Sequence, residues 1–362
     1  MKKIIIIFFI FFIISCDKEE KYFYSSILIN DHTLKEIDSL TFFFKDTLFI
    51  SRTADIVFWN SKILVTDFYE NKIWIFSKQL DLIKVIGGKG KGPGEFSYRP
   101  NILPDGKILW LIDGSRKEIS KYDSNFQFLQ KYKMDEKVIY QPYAPITLED
   151  KFVFSVLYPY SIAEDEYFKK YKSLVALDKK FTILKNFFEW DEIYFDDKYD
   201  AYTKENAKTF LSKKNDEYFF AQQRASFNIS VFDKNLIIKN RFGVKPKYFK
   251  EPPKNLKFKD TQSSLEANAR FIGSTTKFGG LQYDSTTHYL FVYYVNLYED
   301  FYVKRSLLWG KHFMQVYDKN YDCIFDGPIP GKLAFADDGK IYILTEERPE
   351  YIKFKVFRLI KN

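Results

Sequence analysis

The sequence predicts an all-β fold, a six-bladed β-propeller with four-stranded antiparallel blades. Three observations lead there. Ile63–Asp67, five spacers and Ile73–Phe76 are followed 46 residues later by Leu109–Asp113, five spacers and Ile119–Tyr122. A strand-rich unit of that period marks a blade in a radial array. A shorter signature then recurs, an apolar residue, Asp, two polar residues and another apolar residue. Its copies are Tyr122–Phe126, Leu177–Phe181, Phe232–Leu236 and Tyr317–Tyr321, with Phe76–Leu80 as a relative carrying Ser in place of Asp. Finally, aromatic residues make up 20% of the 362, which favours pleated, half-buried surfaces over helices.

The chain opens with Lys2-Lys3 and the eleven apolar residues Ile4–Ile14. Such a run is too short to span about 30 Å of hydrocarbon, which takes roughly 20 helical residues, and reads as a signal h-region. Ile13-Ile14-Ser15-Cys16 closes it and resembles a bacterial lipobox. That resemblance implies a signal peptide over 1–15 and a lipid on Cys16, which alone gives the membrane as a partner. Residues 16–26 form a polar, lipidated tether. Its Asp17-Lys18-Glu19-Glu20 resembles the surface-export signal of Bacteroidetes lipoproteins, which implies an outer-membrane lipoprotein facing outward, with a periplasm-facing one as the alternative.

Residues 27–362 are assigned to the propeller. Ile27–Asn30 and Thr41–Ser51 look like strands separated by the polar Asp31–Ser39. A propeller closes when its N-terminal strand completes the last sheet and covers an open edge, and Thr41–Ile50 is the candidate. Ile86–Phe96, with five glycines, suits a crossing between blades where the backbone takes positive φ. An inner strand pair is expected before each hairpin, and Lys107–Leu111, Lys151–Val156, Tyr218–Ala221, His288–Val295 and Lys340–Leu344 fill that role. Two of these stand directly behind the turn dipeptides Asp105-Gly106 and Asp338-Gly339.

In the signature itself, Asp opens a tight turn through its side-chain oxygen and the flanking apolar residues point between sheets. Counted at the residue before Asp, or before Ser77 in the first copy, the spacings are 46, 55, 55 and 85. With the final strand Tyr351–Ile360 this makes six outer hairpins. The longest gap is ascribed to a Pro- and Lys-rich insertion near 245–280. A second insertion near 186–217 holds aromatic and acidic residues, and Thr203–Lys214 is read as a short helix.

Ile86-Gly87-Gly88 through Gly92-Pro93-Gly94-Glu95-Phe96, with Pro100 and the strand Leu109–Asp113, resembles NHL-type repeats. In particular it is similar to the six-bladed, TolB-like β-propeller lipoproteins of Bacteroidetes, many of them domains of unknown function. The resemblance implies a fold and a cellular address, and it carries over no catalytic residue.

The residues themselves point to few kinds of chemistry. The glycine loop lacks the Lys-Ser/Thr and the helix of a phosphate-binding loop. His32, His288 and His312 are scattered, with no histidine–carboxylate pair at helical spacing, and the acids of 191–200 lack the order of a calcium loop. No cofactor and no metal site is expected. No Gly-x-Ser-x-Gly elbow is present. Arg52, Arg99, Arg224 and Arg270 each lie near an expected inner strand or the loop before one, where they would either bind carboxylate or sulfate groups or pair with the aspartates between blades. Trp190 heads an aromatic group, with Tyr194, Phe195, Tyr199 and Tyr202, that would stack on a sugar or pack its loop against the propeller. Cys323 reads as a small buried hydrophobe.

The formal charge of +8 falls to +6 once Lys2 and Lys3 leave with the signal (8 − 2), and acids stand beside lysines nearly everywhere. With no basic stripe, nucleic acid is not an expected partner. The functional expectation is a cell-envelope lipoprotein whose propeller is a binding or interaction module for a glycan, a peptide or an envelope protein. The alternative is a propeller hydrolase or lyase acting at the central channel through paired carboxylates.

Overall fold

The structure, a computed structural model, describes residues 26–44, 50–134, 143–156, 166–298, 300, 308–348 and 350–362. Cys16 and the signal and export motifs lie outside the described residues. Strand β1 (His32–Phe43) precedes five sequential four-stranded antiparallel meanders. Blade 1 is β2 (Thr53–Trp59), β3 (Lys62–Asp67), β4 (Lys72–Ser77) and β5 (Leu82–Gly87). Blade 2 is β6 (Asn101–Asp105), β7 (Ile108–Asp113), β8 (Glu118–Tyr122) and β9 (Phe128–Lys133). Blade 3 is β10 (Tyr143–Thr147), β11 (Lys151–Ser155), β12 (Leu174–Asp178) and β13 (Ile183–Phe187), with the single-turn α1 (Tyr167–Lys170) between β11 and β12. Blade 4 is β14 (Thr209–Lys213), β15 (Tyr218–Gln223), β16 (Ile229–Asp233) and β17 (Ile238–Phe242). Blade 5 is β18 (Thr276–Asp284), β19 (Tyr289–Leu297), β20 (Gly310–Tyr317) and β21 (Cys323–Ile329). Blade 6 joins β22 (Lys332–Asp337), β23 (Lys340–Glu347) and β24 (Tyr351–Lys361) to β1, in the order β1-β24-β23-β22.

The six-bladed propeller expected from the repeats is the fold observed. Middle strands are covered on both faces by neighbouring blades, so they read as nearly continuous apolar runs. All five hairpin signatures join the third and fourth strands of a blade. In each, one side-chain oxygen accepts two backbone N–H groups. Asp178 Oδ1, for example, takes those of Lys180 and Thr182, both at 2.8 Å, and Ser77 Oγ takes those of Gln79 and Asp81 at 3.1 Å. The apolar residue that follows adopts left-handed backbone: Leu80, Phe126, Phe181, Leu236 and Tyr321 have φ between 60 and 67°. That conformation costs a bulky residue roughly 1–2 kcal/mol. It drives the side chain into the seam with the preceding blade, where burying a phenyl ring is worth about 1.5–3 kcal/mol, so burial wins.

Closure departs from expectation. The strand that completes blade 6 is His32–Phe43, paired antiparallel with β24 from His32↔Lys361 to Phe43↔Tyr351, and not Thr41–Ile50. The stretch Asp31–Ser39, taken as a break, forms most of it. An outermost strand is held by its backbone ladder and is covered on little of either face, so it needs no apolar alternation. Ile27–Asn30 forms only a bridge, Leu28↔Cys323, against blade 5. The sixth outer pair is therefore β1 with β24, and among the described residues there are five outer hairpins.

Between β13 and β14 lie two 3-10 turns, Glu192–Phe195 and Asp197–Tyr199, and α2 (Asp200–Glu205). The helix expected over Thr203–Lys214 stops at Glu205, and Thr209–Lys213 is the innermost strand of blade 4. Between β17 and β18 lie α3 (Phe258–Thr261) and α4 (Leu265–Gly273), the latter capped by Ser264 Oγ accepting from Ala267 N at 3.0 Å. Of the glycine loop, Gly87 has φ +85°, and a Cβ there would lie 2.8 Å from the Asn71 carbonyl oxygen.

Candidate functional site: the basic mouth of the central channel

Innermost strands β2, β6, β10, β14, β18 and β22 stand around the axis and enclose a channel of about 500 Å³ lined by residues of all six. Because every blade repeats one meander, all six innermost strands start at the same end. There they carry cations. Arg52 and Arg99 precede β2 and β6, Lys208 precedes β14, Lys277 is the second residue of β18 and Lys332 the first of β22. The residues just ahead of β10 lie outside the described set. Arg224, from the turn between β15 and β16, joins the group.

A repeated clamp positions the first two arginines. Asp113 Oδ2 accepts from Ser97 N at 2.6 Å, and its Oδ1 from Ser115 N and Arg116 N at 3.1 and 3.2 Å. Forty-six residues earlier, Asp67 accepts from Ser51 N at 2.8 Å and from Tyr69 N and Glu70 N at 2.9 and 3.0 Å. Each aspartate thus ties the start of an innermost strand to the turn between the second and third strands. The guanidinium carbons of Arg52 and Arg99 then lie 5.0 and 4.6 Å from the centre of the Phe68 ring.

The arc between blades 4 and 5 is the most charged. Arg224 N donates to Lys208 O at 2.8 Å, and Arg224 Nε donates across the seam to Phe278 O at 3.0 Å. Lys277 Nζ donates to Glu205 Oε1 at 2.8 Å. Burial, followed by the charges of Arg224 and Lys277, pushes the Lys208 ammonium down to about 7. Burial pushes Lys277 down to about 8 against the attraction of Glu205. Burial raises Glu205, but the charge and hydrogen bond of Lys277 outweigh it and hold that carboxyl below its usual value. Lys332, donating to Ala54 O at 3.0 Å, is lowered by burial, by Arg99 and by Arg52, against Asp55 and Glu347. Six basic side chains thus stand among the carboxylates of Asp55, Glu205 and Glu347, with those of Asp67 and Asp113 at the starts of β2 and β6. Like charges crowded where water is scarce repel strongly, and a visiting anion relieves that repulsion.

Of the residues singled out in the sequence, Arg52, Arg99 and Arg224 come together at this mouth. Arg270 does not; it is exposed on α4 and ion-pairs with Glu266 at 2.6 Å. Trp190 is no open stacking platform. It is buried, packs against Tyr167, Phe168 and Tyr194, and donates its Nε1 hydrogen to Tyr171 O at 2.7 Å. Lys208, Lys277 and Lys332 were missed because their innermost strands are weakly apolar; the usable signal was a lysine within one residue of each start. Cys323 is buried, and burial pushes its thiol up to about 12. Among the described residues no group of three or more His, Cys, Asp or Glu side chains is placed to hold a metal ion.

The fold and this mouth define a six-bladed β-propeller with a cation-ringed axial channel. The family model of DUF5128, a six-bladed β-propeller, matches residues 16–327, and the chain belongs to that family. Among solved structures, a DUF4221 family member from Bacteroides vulgatus is similar, with a TM-score of 0.66 at 12% identity over 92% of this chain and 100% of its own. A protein from Bacteroides fragilis described as exported has a TM-score of 0.57 at 15% identity, covering 94% and 99%. No curated protein matches the chain.

Proposed function

We propose that this protein is a cell-envelope lipoprotein of the TolB-like kind, anchored through Cys16 to the outer membrane and facing outward. Its propeller binds acidic groups of a glycan, a peptide or an envelope protein at the basic mouth. The observation that carries the reading is the excess of basic groups, six of them crowded at one end of a rigid channel. Lys208, Arg224 and Lys277 all lie within electrostatic reach of Glu205. Holding such an excess costs stability, and a bound anion offsets the cost through charge-assisted hydrogen bonds. Glu205, kept ionised by Lys277, is poorly suited to donate a proton near neutrality, which favours binding over the hydrolase or lyase alternative.

The test is calorimetric titration of the full-length protein with oligogalacturonate, a sulfated oligosaccharide and an acidic peptide at two salt concentrations. At least one is expected to bind, more weakly at high salt. Arg99→Ala and Arg224→Ala, each removing one charge-assisted hydrogen-bond donor, are expected to lower affinity about 10- to 100-fold. Binding that ignores both substitutions removes the mouth as the site. Intact mass of the native protein reads the anchor, and a mature chain beginning at Met1 overturns it.

A further inference from the structure

At the opposite end of the molecule the seams between blades can be compared position by position. The hairpin residue before each Asp or Ser pairs with Ile63, Leu109, Phe152, Phe219 and Leu290 in blades 1 to 5. A seam is filled by three equivalent side chains: this paired residue and the left-handed residue of the later blade, with the residue one place after the paired position in the earlier blade. Between blades 2 and 3 they are Trp110, Phe152 and Phe181. The rings interlock, with centroids 5.5, 5.6 and 4.9 Å apart, and all three residues are buried. Between blades 4 and 5 the same positions hold Phe220, Leu290 and Tyr321. Phenyl for indole and isobutyl for phenyl remove volume, and Tyr321 stacks instead on Phe242 at 4.4 Å. At this seam lies an open pocket of about 260 Å³, with Tyr283 as a further aromatic wall.

The rim of this pocket is polar and of both signs. Tyr283 Oη is hydrogen-bonded to His288 Nδ1 at 2.8 Å, Lys214 Nζ donates to Tyr321 Oη at 3.3 Å, and Lys319 and Asp318 complete the edge. Two ammoniums beside one carboxylate and a histidine do not select a fully charged ligand, and the aromatic walls do not suit a wholly polar one. The volume is below the range of about 300–1,000 Å³ typical of drug-sized ligands, so one ring fits and a chain does not.

We infer that the seam between blades 4 and 5 is a second binding site, taking a single neutral pyranose ring. The sugar's apolar face lies on the half-buried Tyr283, whose ring packs on the buried Phe220, and its hydroxyls, each donor and acceptor, reach Tyr283 Oη, His288, Lys214 and Asp318. This site is at the end of the propeller where the innermost strands finish, remote from the basic mouth, and stands whether or not an anion binds there.

The test is saturation-transfer difference NMR on the full-length protein with the methyl glycosides of glucose, galactose, mannose and N-acetylglucosamine. At least one glycoside is expected to receive saturation at its ring protons. Leu290→Phe, which copies the closed seam, and Tyr283→Ala, which strips a wall from the folded surface, are each expected to weaken binding about tenfold or more. Thermal melts show which variants remain folded, and Tyr283→Ala keeps the test open if Leu290→Phe does not. No binding by any of the four glycosides overturns the inference. So does binding unchanged in a folded variant, or binding of N-acetyl-phenylalaninamide in their place.

Discussion

The seam between blades 2 and 3 and the seam between blades 4 and 5 share a backbone plan and differ in what fills it. In the first, Trp110, Phe152 and Phe181 lock together, and Lys179 Nζ lies 4.5 Å from the centre of the Phe152 ring. In the second, Phe220, Leu290 and Tyr321 leave a pocket at one end, while Lys208, Arg224 and Lys277 crowd the other. One repeat has been used for cohesion and another for sites. Because each seam packs independently of the next, blades 4 and 5 can give up cohesion without unravelling the ring.

The largest expected contrast comes from truncation. Phe152→Ala removes the central ring of the closed seam and should cost roughly 3–5 kcal/mol, with Leu290→Ala at the lower end of the roughly 2–5 kcal/mol range because its neighbours already border open space. Urea denaturation measures both, and equal costs would mean that the pocket closes in solution. Next comes charge. Free lysine titrates near 10.4, whereas Lys208 and Lys277 in the fold are held down at about 7 and about 8. Between those values and 10.4 the unfolded chain binds more protons than the folded one, so stability rises with pH across that window. Lys208→Met should flatten the rise. Anion affinity at the mouth should move the opposite way and weaken as the pH climbs through 7 to 8. A pH-stability curve unchanged by Lys208→Met would place that ammonium in ordinary solvent.

What the sequence made legible follows from what each element needs. Hairpins need an oxygen acceptor and a residue that tolerates or is forced into left-handed backbone, so Asp123, Asp178, Asp233 and Asp318 announce themselves and mark four of the six blades. Middle strands are buried on both faces and show as apolar runs. β1 needs only a backbone partner, and its polar His32–Ser39 gives no pattern to find. The innermost strands present an edge to the channel and are weakly apolar, which hid Lys208, Lys277 and Lys332, although Arg52, Arg99 and Arg224 showed where to look. Asp67 and Asp113 stood out in the repeat, but their partners Ser51 and Ser97 lie 16 residues upstream in each copy. The pocket is visible only once strand register brings Phe220, Leu290 and Tyr321 together at one seam.

The smallest expected effect separates turn chemistry from seam packing. Asp178 and Asp318 make the same two backbone hydrogen bonds, to Lys180 and Thr182 and to Asn320 and Asp322, at 2.8 to 3.0 Å. These N–H groups lie near solvent, where water replaces a lost acceptor and each bond is worth about 0.5–1.5 kcal/mol at most. If the turn acted alone, alanine at either position would cost the same. The turn also holds the next apolar residue in its left-handed conformation, however, and Phe181 is 1% exposed in its seam whereas Tyr321 is half-buried at the edge of a void. Asp178→Ala should therefore cost about 2 kcal/mol and Asp318→Ala about 1 kcal/mol, read as a difference in urea midpoint at constant m. Asp318→Ala should in addition shift the Tyr283 and His288 resonances, because the turn that carries Tyr321 is one wall of the pocket. Equal costs would show that the left-handed residue is held by its seam without help from the aspartate.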